Sequence, residues 1–155
     1  CVDDAQRLLQ AMFGLAWQYR FLYRNLNDLL SGSRHLETQV QATFAAKKQS
    51  IGSLLASMAD AGALHMDARD IPTLATNMVV MQTYWLSFEY VHNPRHALEP
   101  QSAAPLQERG VQQVLQLLAP YLSPTQRARL PRPGEESPVP TPLPAIAWPA
   151  HAQAA

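Results

Sequence analysis

The segment from residue 71 to residue 91 constrains the fold more than any other, because its apolar residues repeat with the period of an α-helix. Alternating spacings of three and four residues join Ile71, Leu74, Met78, Met81, Trp85 and Phe88. A second apolar line beside the first contains Val80, Tyr84 and Val91. Asp70 can cap this helix, and the helix should stop before Pro94. A helix with two apolar lines needs two packing partners.

The rest of the chain predicts further helices and no β-strand. Ser33 can cap a long amphipathic helix, and Gly62 is well placed to end it. Gly110 removes a side chain from one face of the last long helix, which permits a close approach of a neighbouring helix. No stretch alternates apolar and polar residues with period two, so the sequence predicts an all-α, multi-helix bundle. The additional long helices are predicted near residues 3–13, 15–30, 33–62 and 105–122.

The stretch WQYRFLYRNLNDLL, residues 17–30, concentrates aromatic residues in a chain that contains only 8% of them. Its aromatic side chains point in almost every direction around a helical turn, so we expect this helix to be buried on more than one side. Arg20, Arg24 and Asp28 form a polar line along it, and the last two are spaced for pairing. The two arginines either pair locally or face inward, where they would bind an anionic ligand.

Composition divides the chain into a helical domain, residues 1–130, and a proline-rich tail, residues 131–155, which is predicted to be disordered. The formal net charge is zero, so there is no overall basic field that would indicate nucleic-acid binding. No apolar run approaches the length of a membrane span. The chain begins with its one cysteine, Cys1, and we expect it to be part of a longer protein.

The sequence contains no pattern that specifies catalysis. His92 and His96 have the spacing of helical metal ligands, but Pro94 between them breaks that geometry. No H-x-x-E, C-x-x-C or G-x-S-x-G motif and no glycine-rich phosphate loop is present. We therefore expect a protein that is not an enzyme and that needs no cofactor and no metal.

Four strings in order carry a resemblance to a known family. LAWQYRFLYRNLNDLLS precedes a long helix that ends in LLASMADAGAL, and ATNMVVMQTYWLSFEY leads to GVQQVLQLLAPYL. Over residues 1–125 the chain resembles the C-terminal regulatory domain of TetR-family bacterial transcriptional repressors. The resemblance implies a cytoplasmic protein that binds a small-molecule effector and forms a homodimer through a four-helix bundle. It also implies that DNA is bound only through an N-terminal helix-turn-helix, which we expect to be absent from this chain.

The resemblance also suggests where the two functional surfaces lie. An effector pocket for a largely apolar or aromatic molecule is expected between the helices of residues 17–30, 33–62 and 71–91, although each lining residue could equally be ordinary core. Its predicted lining is Trp17, Tyr23, Phe44, Met58, Asn77, Met81, Tyr84 and Trp85. The predicted dimer interface contains Met78, Phe88, Leu106, Gly110, Val114, Leu117 and Tyr121.

Two other functions remain open from the sequence. A helical-bundle enzyme or carrier for a hydrophobic small molecule would use the same aromatic and methionine side chains as its pocket. A purely structural interaction protein would instead use the apolar lines of residues 71–91 and 106–122 to bind a different partner.

Overall fold

The structure, a computed structural model, describes residues 1–131 and is entirely helical over that range apart from turns and one isolated β-bridge. The all-α prediction is confirmed. None of the helices in this described range is long and apolar enough to cross a membrane. The predicted disordered tail lies outside the described residues except for Pro131. The helices are α1 (Val2–Gln18), α2 (Arg20–Arg24), α3 (Leu26–Gly32), α4 (Arg34–Asp60), α5 (Ile71–His92), a 3-10 turn (Pro100–Ser102), α6 (Ala103–Gln116) and α7 (Pro124–Arg127).

The aromatic stretch does not form the single helix that the sequence predicts. Helix α1 continues through Gly14 to Gln18, and the chain then bends at Tyr19 and again at Asn25, which leaves two short helices. The expectation that this stretch is buried on several sides is wrong for the single chain. Helix α2 buries none of its residues, and α3 buries only Leu26. The short helices lie over α4 and α5, so one side of them faces solvent.

Helix α4 begins and ends where the sequence predicts. The Ser33 hydroxyl accepts a hydrogen bond from the Leu36 amide at 3.3 Å, which caps the first turn. Just beyond the other end, Gly62 adopts a φ of 68°, a left-handed conformation that glycine reaches without steric cost. Burial is confined to the second half of α4, and the first buried residue along it is Lys47.

The main core is formed where α1 packs on α6 and α4 packs on α5. Gly110 in α6 permits the closest approach, because a Cβ atom there would lie 2.5 Å from Phe13 Cε1 and 2.8 Å from Trp85 Cδ1. The close approach predicted at this glycine is therefore present, and it occurs within one chain. A smaller second cluster contains Ala16, Leu86 and Leu106, with Trp17, Tyr23, Trp85 and Leu98 packed against it.

A backbone clamp joins the end of α4 to the segment that follows α6. Helix α6 ends at Gln116, earlier than predicted, and a series of turns leads to an antiparallel bridge between Leu64 and Leu122. The His65 amide donates to the Tyr121 carbonyl at 2.7 Å, and the Ser123 amide donates to the Ala63 carbonyl at 3.0 Å. The C-terminal end of α4 is thus fixed relative to α6.

Candidate functional site

A buried lysine lies at the centre of a polar cluster that joins four helices. Lys47 of α4 is only 6% exposed. Its Nζ donates to the Tyr23 hydroxyl at 3.0 Å and to Gln82 Oε1 at 2.8 Å. The Gln82 side-chain nitrogen in turn donates to the Met12 carbonyl at 3.2 Å. One hydrogen-bond network therefore links α1, α2, α4 and α5.

The lysine is surrounded by neutral groups. Its Nζ lies 5.0 Å from the centre of the Tyr23 ring and 6.0 Å from that of Phe44, within the range of cation–π attraction. Among the described residues, no carboxylate forms an ion pair with it. Burial lowers the pKa of Lys47 to about 8, so the Lys47 amine is still mostly protonated at neutral pH. A buried cation without a counter-ion is costly, and such groups concentrate at functional sites.

Replacing Lys47 with methionine is expected to change how stability depends on pH. The pKa of Lys47 is about 8 in the folded chain and has an ordinary value of 10.5. Between these values the unfolded chain binds more protons, so the wild type gains stability as pH rises through this window. Methionine does not titrate. The unfolding free energy of the variant, minus that of the wild type, should therefore fall by about 2 kcal/mol between about pH 7 and about pH 9.5.

Urea unfolding of both proteins at the two pH values measures this difference. The matched control is Lys48→Met, because Lys48 is the exposed neighbour of Lys47 on the same helix. If the unfolding free energy of Lys48→Met, minus that of the wild type, fell equally over this pH range, burial of Lys47 would not be the cause of the effect.

The structure brings only part of the predicted pocket together. Tyr23 and Phe44 border Lys47, while Trp17 and Trp85 are half-buried in the cluster that contains Tyr23. Met58 is fully buried and Met81 packs against the main core, so both act there as core residues. Asn77 and Tyr84 are exposed on α5, which places them away from the pocket expected between the helices.

The described part of the chain has at least two surface grooves, and neither of these contains a residue of the predicted lining. The first, of about 480 Å³, lies between α4 and the first half of α5 and includes Lys48, Gly52 and Ile71. The second, of about 340 Å³, is lined by Arg24, Asn25, Ser87, Tyr90 and Val91. The space around Lys47 is occupied by side chains of the protein itself, including Tyr23 and Gln82.

Arg20 and Arg24 do not provide the inward positive charge that the sequence left open. Arg20 donates to the Leu98 carbonyl at 3.2 Å and lies over the Trp17 ring. Arg24 lies over the Tyr90 ring, and the predicted pairing of Arg24 with Asp28 is not formed. The inward cation is Lys47, whose position in the interior we did not predict. Lys47 follows Phe44 by three residues and precedes Ile51 by four. This spacing places it on the apolar face of α4 and was the signal in the sequence.

The predicted interface residues fall into two groups. Leu117 is half-buried, and Phe88 and Tyr121 are exposed. The others are buried in the chain's own core and present no surface to a partner, since the apolar lines of α5 and α6 pack against each other and against α1. These buried residues are Met78, Leu106, Gly110 and Val114.

Helix α5 nevertheless exposes one continuous apolar line, which we call the α5 outer line. It consists of four residues spaced by four, four and three positions, so they lie on one side of the helix. Gln82, which contacts Lys47, lies on the opposite side. The exposed fractions are 52% for Val80, 41% for Tyr84, 50% for Phe88 and 78% for Val91. Such a line is larger than the scattered apolar exposure expected of a surface helix.

Comparison with known proteins gives two similarities. The family model for TetR, described as a bacterial transcriptional repressor, matches residues 1–130. A solved TetR-family transcriptional regulator from Marinobacter aquaeolei VT8 is 28% identical, with a TM-score of 0.67, over 79% of this chain. This chain spans 56% of the length of that regulator. No curated protein matches the chain.

The comparison corrects one expectation. We predicted a regulatory domain from which the family's helix-turn-helix is absent. The family model is matched from the first residue of the chain to residue 130, and the solved regulator covers 79% of the chain. These matches contradict the prediction of an absent module, while the resemblance to TetR-family regulators itself agrees with them.

Proposed function

Because the chain belongs to the TetR family of bacterial transcriptional repressors, we propose that residues 1–130 sense a small-molecule effector and form a homodimer. The observation that carries the proposal is that α5 contributes residues to both the buried lysine cluster and the exposed apolar surface. One side of this helix directs Gln82 to the buried Lys47, and the opposite side exposes the α5 outer line. A rearrangement at Lys47 therefore acts on the same helix that would meet a partner subunit.

The proposed dimer is a two-fold assembly in which the α5 outer line packs against its copy, with Leu117 and Tyr121 at its edge. Exposed aromatic and aliphatic side chains of this kind are typical of the central part of a protein interface. The bidentate ion pair of Arg109 with Glu89, at 2.9 and 2.8 Å, holds α6 against α5 within each subunit. The two helices would then move as one unit.

The proposed effector is a largely apolar or aromatic molecule that enters beside Lys47. By linkage, it regulates only if it binds one dimer geometry better than another, with a coupling free energy of about 1 to 3 kcal/mol. We assign the protein a regulatory role in the cytoplasm, without a catalytic step of its own, and DNA as the partner whose binding the effector changes.

The test measures the dimer dissociation constant of the full 155-residue chain by analytical ultracentrifugation, with and without a bound compound. Compounds are first selected by their effect on the intrinsic fluorescence of the three tryptophans of the chain, Trp17, Trp85 and Trp148. We expect a bound effector to change the dissociation constant by about 5- to 150-fold. Compounds that bind while dimer affinity stays unchanged would contradict sensing and favour the alternative, a carrier for a hydrophobic molecule.

A further inference from the structure

The buried lysine also indicates the chemical class of the effector. We propose that Lys47 binds the carboxylate of an aromatic acid, and that Tyr23 and Gln82 occupy its hydrogen-bonding positions in the ligand-free protein. This inference rests on the proposed effector-sensing function and makes it more specific. It assigns recognition of the ligand's negative charge to Lys47 of α4, and not to Arg20 or Arg24.

The first step of the argument is the unmet charge. An ammonium group has three N–H donors, and the described residues accept two hydrogen bonds from Lys47, both through neutral oxygens at 3.0 and 2.8 Å. A carboxylate in place of the Tyr23 hydroxyl would replace a hydrogen bond from a cation to a neutral oxygen with one in which donor and acceptor are both charged. It would also neutralise a cation that is now 6% exposed without a counter-ion.

The second step concerns the shape of the ligand. The groups around the Lys47 ammonium are ring faces, since Tyr23 and Phe44 both lie within 6.0 Å of it. Tyr23 also packs against the cluster that contains Trp17 and Trp85. If the Tyr23 side chain moves away, the space it leaves is that of an aromatic ring with an oxygen directed at Lys47. An aromatic acid fits that space better than a neutral or a purely aliphatic molecule.

The third step is access. Tyr23 belongs to α2, a five-residue helix that buries none of its residues, and α3 buries only Leu26. The segment is bounded by bends at Tyr19 and Asn25. Residues 20–32 contribute no residue to the main core, so moving them away from α4 and α5 exposes chiefly Leu26 and Tyr23, and segments with few buried contacts open at low free-energy cost. Tyr23 can leave Lys47 without disruption of the main core.

The experiment compares acids with their neutral primary amides. Binding of benzoate, 2-naphthoate and octanoate to the full chain is measured by calorimetry at about pH 7, beside benzamide, 2-naphthamide and octanamide. We expect at least one aromatic acid to bind about tenfold or more tightly than its amide, a difference of about 1.4 kcal/mol. Lys47→Met should bring this ratio close to one, and the exposed control Lys48→Met should leave it unchanged.

A second variant keeps the test decisive if Lys47→Met does not fold. Tyr23→Phe removes the competing hydroxyl and keeps the ring, so it should strengthen acid binding several-fold and leave amide binding the same. Unchanged or weaker acid binding in Tyr23→Phe would contradict displacement of the hydroxyl. Circular dichroism of each variant verifies the fold.

The remaining outcomes separate this inference from the proposed function. Acids and amides that bind alike overturn the carboxylate anchor and leave effector sensing in place. Octanoate that binds more tightly than both aromatic acids overturns the aromatic part. Binding of none of the six compounds overturns the anchor, whereas the proposed function is judged separately, by the change in dimer affinity.

Discussion

Phe88→Glu is expected to convert the proposed dimer into monomers that remain folded. Phe88 is 50% exposed in the single chain and lies in the α5 outer line, where its ring centre is 5.1 Å from that of Trp85 and 4.4 Å from that of His92. In a two-fold interface the substitution would bury an unpaired carboxylate twice. Burying such a charge costs several kcal/mol, so we expect the dissociation constant to rise by about a hundredfold or more.

Sedimentation velocity over a concentration series measures this change. The matched control is Ser50→Glu, because Ser50 is exposed on a helix, α4, that contributes nothing to the α5 outer line. The control should dimerise like the wild type. A wild-type chain that is monomeric at tens of micromolar would contradict the dimer, and a Phe88→Glu variant that still dimerises tightly would show that the interface lies elsewhere.

Gly110→Val is expected to cause a large loss of folding stability. A Cβ atom at this position would lie between 2.5 and 2.8 Å from ring atoms of Phe13 and Trp85. Phe13 is almost completely buried, so its ring has no space to yield. Overpacking costs about 1 to 3 kcal/mol for small insertions, and valine adds two further methyl groups. We expect a loss above about 3 kcal/mol and a melting temperature lower by about 10 °C or more.

Gly52→Ala is the control for this experiment. Gly52 lies within α4, and a Cβ atom there would meet no other atom within 4 Å. The variant should therefore gain up to about 1 kcal/mol from helix propensity alone. Thermal and urea unfolding measure both variants. A Gly110→Val chain as stable as the wild type would mean that α6 does not approach α1 and α5 as closely as the structure shows.

The sequence predicted the helices well where single residues mark their ends. Ser33 and Gly62 gave α4 its boundaries, because a capping hydroxyl and a left-handed glycine are local properties. The bends at Tyr19 and Asn25 were missed, since neither glycine nor proline occurs there and the bends arise from packing on α4 and α5. Helical periodicity therefore predicted one continuous helix where the structure has two bends.

The site was less predictable than the fold for a related reason. Periodicity shows that a residue lies on an apolar face, but it does not show whether that face meets the chain's own core or a partner. Leu106 and Val114 were assigned to the interface on periodicity, and both are buried within the chain. The interior position of Lys47 was not predicted, because lysine is seldom buried. Its hydrogen bonds with Tyr23 and Gln82 join residues far apart in sequence.

The clamp between Leu64 and Leu122 fixes one end of α4, so a tilt of this helix produces displacements that grow with distance from that end. The C-terminal end of α4 is joined to the segment after α6 and its first half has no buried residues, so we expect the helix to tilt about the clamped end. At 1.5 Å per residue, Lys47 lies about 20 Å from Asp60 and Arg34 about 39 Å from it. A displacement at Lys47 is therefore doubled at the first turn. Spin labels at Arg34 and at Gln49, which lies about 17 Å from Asp60, should report a ratio of about 2.4, and equal displacements would show that α4 shifts as a whole.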